Sequence, residues 1–288
     1  MVDWSASSKP VTGPDSIWIG VLKRNVRFQM AFEAHNPPTR AAAEKLIDGL
    51  LNDLSRKSER TLVGFDFPLG FPRGTSAALK LKGEPWRAML DFLAKEVKDK
   101  PTNENNRFQV GAKINRLMTE GPFPFWGAPE RDKQPWLSVK RAREHTPEDL
   151  PEFRYADEAV KGASSIWKLY YQGSVGGQAL TGMPVAKRLR DARGDKAKLW
   201  PFETGWKPLS AADLVGVDAV FAEIYPTLFA GKPAAGAIKD EVQVRAVCEH
   251  FNTLDEKGLL GALFGPIKDD PRRDAVAGEE GWILGAGV

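Results

Sequence analysis

The sequence is poor in cysteine and histidine. Its 288 residues include one cysteine, Cys248, and three histidines, His35, His145 and His250. A single cysteine excludes an internal disulfide, and the scattered histidines lack the Cys/His spacing of a zinc site. Cys248 falls on a predicted helix, where we interpret it as a small core residue.

Long apolar runs and a charge excess are also missing. No apolar run reaches the roughly 18 residues that a membrane span needs. The N-terminus has no basic region followed by an apolar stretch, so no signal peptide is indicated. The net charge is +3, from 41 basic and 38 acidic residues, which by itself does not indicate nucleic-acid binding. We predict a reduced, cytoplasmic protein without a membrane partner; the oligomeric state stays open.

Four acidic residues are the most informative feature that is present. They are Asp3, Asp66, Glu223 and Asp274, and three of them lie in or at the ends of apolar runs typical of strands. An acid there is costly to bury without a cation or a hydrogen-bond donor. A cluster of acids suits hard divalent cations, so we predict all four as catalytic residues and as ligands of Mg2+ or Mn2+.

The metal hypothesis also predicts a distance. The carboxylates of Asp3, Asp66 and at least one of the other two acids should lie within about 8 Å of one another to share an ion. The alternative is that each acid makes only local bonds. Asp3 could accept hydrogen bonds from a following serine, Asp66 could order the turn after it, and Asp274 could cap a helix.

The first 67 residues predict strand, strand, strand, helix, strand. The strands are predicted at residues 2–6, 16–21, 26–32 and 61–67, and the helix at 40–56 with Thr39 as its N-cap. This order is typical of the ribonuclease H-like fold, in which the helix crosses over and places the fourth strand parallel to the first. Asp3 and Asp66 would then converge at one edge of the sheet.

The remaining chain predicts a long insertion followed by the end of the same core. Residues from about 70 to 216 form a mostly helical and irregular insertion between the fourth and fifth core strands, with helices near 86–97 and 156–171. A strand at 218–224, a helix at 241–254 and a last helix at 274–284 follow. We predict one α/β domain over residues 1–288, a mixed sheet flanked by helices.

Four short motifs resemble the DUF429 family. They are residues 2–5, the Asp-Phe-Pro-Leu-Gly turn within 64–70, residues 223–226 and residues 274–277. The resemblance implies a ribonuclease H-like fold and a predicted nuclease with a metal site. One departure is that only two residues precede Asp3, whereas the family's first strand has several before its Asp. We therefore expect a short first strand or an abbreviated chain start, with fraying that loosens Asp3.

The segment Gly173–Gln178 is rich in glycine. Backbone amides in such a loop can cradle a phosphate, although it fits neither the Walker pattern nor the dinucleotide fingerprint. A flexible turn is the structural alternative, and if the segment faces the acids it becomes a substrate loop. The residues that we predict to bind substrate are Arg73, Lys168, Ser174, Gly176 and Gly177.

A basic cluster follows that loop. It consists of Lys187, Arg188, Arg190, Arg193, Lys196 and Lys198, with Trp200 after it. Basic residues beside an aromatic can hold a nucleic-acid strand, and a solvated helix face explains the same pattern.

These features predict a divalent-metal-dependent phosphodiester hydrolase of nuclease type, with a nucleic acid or a nucleotide as its partner. Two other functions stay open. One is a non-catalytic module that binds nucleotide, nucleic acid or protein, and the other is a nucleotide-dependent phosphotransferase. A phosphotransferase of that class needs two such cores and phosphate-binding hairpins, and the sequence predicts one core.

Overall fold

A computed structural model describes residues 1–27, 29–229, 231 and 236–287. Six strands form one mixed sheet in the order β3-β2-β1-β4-β6-β5. The strands are β1 (Val2–Asp3), β2 (Trp18–Arg24), β3 (Met30–His35), β4 (Thr61–Phe65), β5 (Ala197–Leu199) and β6 (Ala219–Glu223). β2 is antiparallel to β1 and β3, whereas β1, β4, β6 and β5 run parallel. The predicted α/β class with a mixed sheet is confirmed.

The predicted neighbourhood of the first and fourth strands is also confirmed. β1 and β4 pair in parallel, with Val2 opposite Phe65. Because the two strands run in the same direction, the residues at their carboxyl ends emerge at one edge of the sheet. Asp3 ends β1 and Asp66 directly follows β4, so the sheet brings these two acids together.

Helices cover both faces of the sheet. They are α1 (Arg40–Arg56), α2 (Thr75–Ala78), α3 (Pro85–Glu96), α4 (Arg107–Thr119), α5 (Tyr155–Ala159), α6 (Gly176–Asp191), α7 (Lys239–Glu256) and α8 (Arg273–Ala275). Thr39 caps α1, as predicted, by accepting a hydrogen bond from a first-turn amide. One core contains Phe65 and Phe221 with α1, α3 and α6; the other contains Val244 and Val247 of α7. Among the described helices, none is long and apolar enough to cross a membrane.

β1 is shorter than the predicted range of residues 2–6, in agreement with the expected short first strand, and it is held in place. The chain leaves the sheet after two residues because the buried Arg40 binds the carbonyls of Ser5 and Ser7, at 2.9 and 2.8 Å. At the other end, the Met1 nitrogen donates to the Gly20 carbonyl at 2.8 Å, and the Gly20 amide donates back to the Met1 carbonyl. The hydrogen bonds at both ends oppose the predicted fraying.

β3 begins later than the alternating pattern predicts. The pattern covered residues 26–32, but the strand begins at Met30 and Val26 is 96% exposed. Phe28, the second apolar residue of that pattern, lies outside the described residues. Asn25 sets the turn instead, because its side-chain oxygen accepts hydrogen bonds from two amides farther along the turn.

Two predicted helices are also shorter than expected. The helix predicted over residues 156–171 is wrong beyond α5. Trp126 donates to the Trp167 carbonyl and accepts from the Leu169 amide, so that stretch is extended and paired with another segment. The last helix consists of α8 and a π-helical turn, Val276–Glu280, and stops before Gly281, whose φ is 72°.

The long segment predicted as an insertion forms part of the main core. It supplies the edge strand β5 and the helices α3 and α6. The helix α6 crosses closely over Phe67, since a Cβ atom on Gly182 would lie 2.4 Å from the Phe67 ring. Leu180 and Met183 of α6 are fully buried in the same core as Phe67.

A cavity of about 560 Å3 lies beyond the amino end of β1. Its walls include parts of β2 and β4, together with Ile47 of α1 and Phe251 of α7. Because Asp3 and Asp66 emerge at the carboxyl ends of β1 and β4, this cavity lies at the opposite end of the sheet from them.

Gly70 provides a test of the packing beside the Asp66 turn. A Cβ atom at Gly70 would lie 2.3 and 2.5 Å from the carbonyl oxygens of Glu279 and Glu280. We expect Gly70→Ala to lower the free energy of unfolding by about 1–3 kcal/mol, because the backbone must move. Gly49→Ala is the matched control, since no atom lies within 4 Å of its Cβ position and it sits within α1.

We expect Gly49→Ala to raise the free energy of unfolding by about 0.5–1 kcal/mol, the gain for removing a helical glycine. Urea denaturation of both variants measures the difference. Equal effects of the two substitutions would contradict the close packing at Gly70.

Candidate functional site

The candidate site is built around the carboxyl groups of Asp3 and Asp66. The two carboxyl groups are close enough for each to shift the pKa of the other, and the sharing of an ion between them stays a prediction. The backbone fixes Asp66, because its amide donates to the Val2 carbonyl at 3.2 Å and its Oδ1 accepts from the Trp4 amide at 2.8 Å. Parallel pairing of β1 and β4 therefore holds the pair.

Burial makes this pair electrostatically costly. Burial and then the charge of Asp240 raise the pKa of Asp3 to about 7, although its hydrogen bond with Asp66 acts in the opposite direction. Burial and the charge of Asp3 raise the pKa of Asp66 well above its ordinary value. Two close carboxylates cannot both ionise cheaply without a cation, so one proton is retained between them.

Further charges surround Asp3. Asp240 lies in the first turn of α7, and its Oδ2 accepts from the Asp15 amide at 2.8 Å. The charges of Asp240 and Asp15 raise the pKa of Asp3, whereas the charge of Lys239 lowers it. Burial raises the pKa of Asp240 as well. The field around the pair is negative, with one lysine opposing it.

Glu223 does not join the pair as an available ligand. It ends β6, and both of its carboxylate oxygens accept hydrogen bonds from Arg154 at 2.7 Å. Arg154 is fully buried and also binds Asp157, and these two acids raise its pKa. Burial raises the pKa of Glu223, and the Arg154 charge opposes that shift. A guanidinium occupies both oxygens of Glu223, and its role as a metal ligand stays a prediction.

Among the described residues, Asp274 belongs to no group of side chains that could bind a metal ion. It lies on α8 with its side chain exposed. Within the described part of the chain, no group of three or more His, Cys, Asp or Glu side chains could hold a metal ion. The structure therefore brings together two of the four predicted acids.

Two carboxylates are sufficient protein ligands for a hard divalent cation such as Mg2+. Mg2+ is commonly held by one or two carboxylates, with waters and substrate phosphates completing its coordination. The Asp3 and Asp66 carboxyls supply hard oxygen donors, and a cation would offset the burial and the neighbouring negative charge that raise their pKa values. The donor set therefore suits Mg2+ or Mn2+ better than a softer metal.

The glycine-rich segment lies beside this site. Gly176 and Gly177 begin α6, and a Cβ atom at Gly177 would lie 3.2 Å from the Cβ atom of Ala6. The Gln178 side-chain amide donates to the Trp4 carbonyl at 2.7 Å. The N-terminus of α6 thus contacts the residues that directly follow Asp3.

Packing explains why glycine is needed there. A Cβ atom at Gly176 would lie 2.1 Å from the Ile166 carbonyl oxygen, and one at Gly177 would lie 2.7 Å from that of Leu169. The helix approaches this extended segment too closely for side chains at either position. A role of these glycines in phosphate binding stays a prediction.

The other predicted substrate residues have protein partners. The Arg73 amide and guanidinium both donate to Glu280 Oε1, at 2.9 and 3.0 Å. Lys168 donates to the Gln172 carbonyl at 2.6 Å, and the Ser174 amide donates to the Tyr171 carbonyl at 3.1 Å. Their contact with a substrate also remains a prediction.

The basic cluster is engaged in ion pairs. Lys187 binds Asp91 and Asp191, Arg188 binds Glu44, Arg190 binds Glu203, and Arg193 binds Asp48. These carboxylates neutralise much of the positive charge that a nucleic-acid backbone would need. Ion pairing within the protein therefore explains the basic cluster better than binding of a nucleic-acid strand.

Sequence reasoning missed the partners of the acids. Arg154 is 69 residues from Glu223, and the only local signal is Asp157, which follows it at the spacing of a helix cap. Asp240 carried a clearer signal, because it directly precedes the helix predicted at 241–254, and an acid at that place lies near the N-terminus of the helix.

The raised pKa values predict a stability change with pH. Asp3 and Asp66 bind protons more tightly in the folded state, so their contribution falls as pH rises from about 4 through about 7. We expect the free energy of unfolding in EDTA to decrease over this range, and Asp66→Asn to flatten the decrease. Urea denaturation at several pH values measures it.

The control for this experiment is Asp213→Asn. Lys207 and Ser210 lower the pKa of Asp213, so its contribution is lost only on acidification. Between pH 5 and 8, the free energy of unfolding of Asp213→Asn should change with pH as steeply as that of the parent protein. A slope unchanged by Asp66→Asn would show that the acid pair does not cause it.

The buried arginine predicts a large stability effect. Arg154→Met leaves Glu223 and Asp157 buried without a cation, and we expect a loss of about 3–5 kcal/mol in the free energy of unfolding. Adding Glu223→Gln to this variant removes one of the two charges and should restore part of the loss. Denaturation at pH 7 tests both, and full additivity of the two substitutions would contradict the ion pair.

No family model matches the chain, and it matches neither a curated protein nor a solved structure. The resemblance of its motifs to DUF429 therefore stays a prediction, and arguments about function depend on the geometry of the site.

Proposed function

We propose that the chain is a divalent-cation-dependent phosphodiester hydrolase of nuclease type, in which Asp3 and Asp66 hold Mg2+ or Mn2+. The observation that carries the proposal is that two half-buried carboxyl groups, each of which shifts the pKa of the other, lie at the ends of adjacent parallel strands. A cation there would favour the ionised form of both groups, which burial alone disfavours.

The chain's own groups would have separate tasks. A bound divalent cation would supply a water of lowered pKa and stabilise the leaving oxygen of a phosphodiester. Asp3 and Asp66 would hold that cation, and the Trp4 amide would keep the Asp66 carboxylate oriented through its 2.8 Å hydrogen bond. The N-terminus of α6, beside Trp4 and Ala6, would accept a substrate phosphate.

The strand arrangement gives additional support. The first four strands lie in the order β3-β2-β1-β4, with β4 parallel to β1, which is the arrangement expected for a ribonuclease H-like fold. The motifs that resemble DUF429 include both acids of the pair. This support is an analogy of fold and motif, and it does not identify the substrate.

A non-catalytic binding module is the second candidate. One observation favours it: Arg154 neutralises Glu223, which leaves two carboxylates where a two-metal nuclease uses more. Metal binding separates the two candidates, because a binding module has no requirement for a divalent ion on these acids.

The decisive experiment is calorimetric titration with Mn2+. We expect saturable binding that Asp66→Asn abolishes with the fold retained, because the amide keeps the size but removes the charge. Glu223→Gln and Asp274→Asn are the matched controls, since Arg154 binds one acid and the other is exposed. Both controls should bind Mn2+ like the parent protein.

The same variants test activity on DNA, RNA and nucleotides. Cleavage should require Mg2+ or Mn2+, stop in EDTA and disappear in Asp66→Asn. Cleavage that persists in EDTA would contradict the metal mechanism. Absence of both Mn2+ binding and cleavage across the panel would favour the binding module.

A further inference from the structure

Arg107 is a buried cation that, among the described residues, forms no hydrogen bond with a carboxylate. It begins α4 and is only 5% exposed. Its Nη1 donates to Ser8 Oγ at 3.0 Å and to Asn105 Oδ1 at 2.9 Å, both neutral acceptors. Its buried Nε has no hydrogen-bond partner, and among the described residues no carboxylate forms an ion pair with it. A buried charge in this state is costly unless an anion joins it.

The neighbouring arginine differs in this respect. Arg40 is also buried, but both oxygens of Asp99 accept its hydrogen bonds, at 2.6 and 2.7 Å. Burial and the positive charge of Arg40 lower the pKa of Arg107 to about 10. The charges of Asp132 and Asp99 raise the pKa of Arg107, but among the described residues neither carboxylate is hydrogen-bonded to its guanidinium.

The unpartnered Nε is directed at the N-terminus of α6. It lies 3.4 Å from the position of a Cβ atom on Gly177. The first-turn amides of Gly177 and Gln178 have no carbonyl partner within the helix, and the helix dipole favours an anion beside them. A guanidinium and a 16-residue helix N-terminus therefore converge on one place.

An exposed aromatic side chain borders this place. The Tyr170 ring packs edge-on against Phe108, the residue after Arg107, with centroids 6.2 Å apart. Tyr170 remains 41% exposed and is close enough to influence the pKa of Arg107. An exposed ring beside a cation is a platform on which a nucleic-acid base can stack.

The location connects these groups to the Asp3–Asp66 pair. The Ser8 partner of Arg107 and the Ala6 neighbour of Gly177 belong to the segment that follows Asp3. Ala6 is three positions after Asp3 in the chain, which limits their Cα distance to about 11 Å. One or two nucleotides of a nucleic-acid strand span this distance.

We propose that Arg107, Ser8 and the N-terminus of α6 bind a backbone phosphate of a single-stranded nucleic acid, whose adjacent base stacks on Tyr170. This subsite rests on the function proposed above and names the substrate of the same site: a single strand that crosses from Tyr170 toward the two aspartates. A duplex keeps its bases stacked inside and offers no free base to Tyr170.

The test is binding of a fluorescent tetrathymidylate with a 5′-phosphate, measured in EDTA so that no divalent cation contributes. We expect saturable binding by the parent protein and weakening of roughly tenfold in Arg107→Gln, with a salt dependence lower by about one unit of slope. Arg116→Gln is the matched control, because Arg116 is an exposed arginine of the same helix, held over the Trp136 ring.

Tyr170 provides a second test that does not disturb the buried arginine. Tyr170→Ala should weaken binding by roughly tenfold, whereas Tyr170→Phe, which keeps the ring, should bind like the parent protein. This comparison remains decisive if Arg107→Gln does not fold.

The outcomes separate this subsite from the metal site. Retained Mn2+ binding with no binding of the oligonucleotide would overturn the subsite and leave the proposed metal site intact. Loss of Mn2+ binding with intact oligonucleotide binding would overturn the proposed metal site and leave the phosphate subsite intact. Thymidine monophosphate binding as tightly as the tetranucleotide, or equal binding by all Tyr170 variants, would overturn the strand proposal.

Discussion

The parallel pairing of β1 with β4 is the constraint on which the site depends. β1 has only two residues, and its register places Val2 opposite Phe65, so Asp3 and Asp66 leave the sheet side by side. So short a strand has few ladder bonds of its own. Arg40 and Gln178 therefore bind the carbonyls of the segment that leaves the strand, and the geometry of the acid pair depends on these two side chains.

The acids at the sheet edge are stabilised in two different ways. Glu223 has a guanidinium on both oxygens, so it can stay ionised without an external ion. Asp3 and Asp66 have each other and the Trp4 amide, so their like charges are offset by a retained proton. The first arrangement is complete within the protein, whereas the second gains stability from any cation that replaces the proton.

The sequence predicted features that depend on local pattern and chain order. The order of elements, the Thr39 cap and the meeting of Asp3 with Asp66 follow from periodicity and from the crossover rule. The pairing of Arg154 with Glu223 could not be predicted, because the two residues are 69 positions apart and meet only through the tertiary fold of the chain between them. The extended stretch around Trp167 was mistaken for a helix for a related reason: its partner, Trp126, lies 41 residues away.

Uncompensated charge is concentrated around the segment that follows Asp3. Several other arginines are matched with acids, as Arg188 is with Glu44 and Arg154 is with Glu223. Around the segment after Asp3, by contrast, an excess of carboxylate lies on one side and Arg107 lies unpaired on the other. Folded chains keep such local conflicts mainly where a ligand resolves them. A substrate phosphate could be bridged to the aspartates by a cation and bound directly by Arg107. It would then compensate both the excess negative charge and the unpaired positive charge.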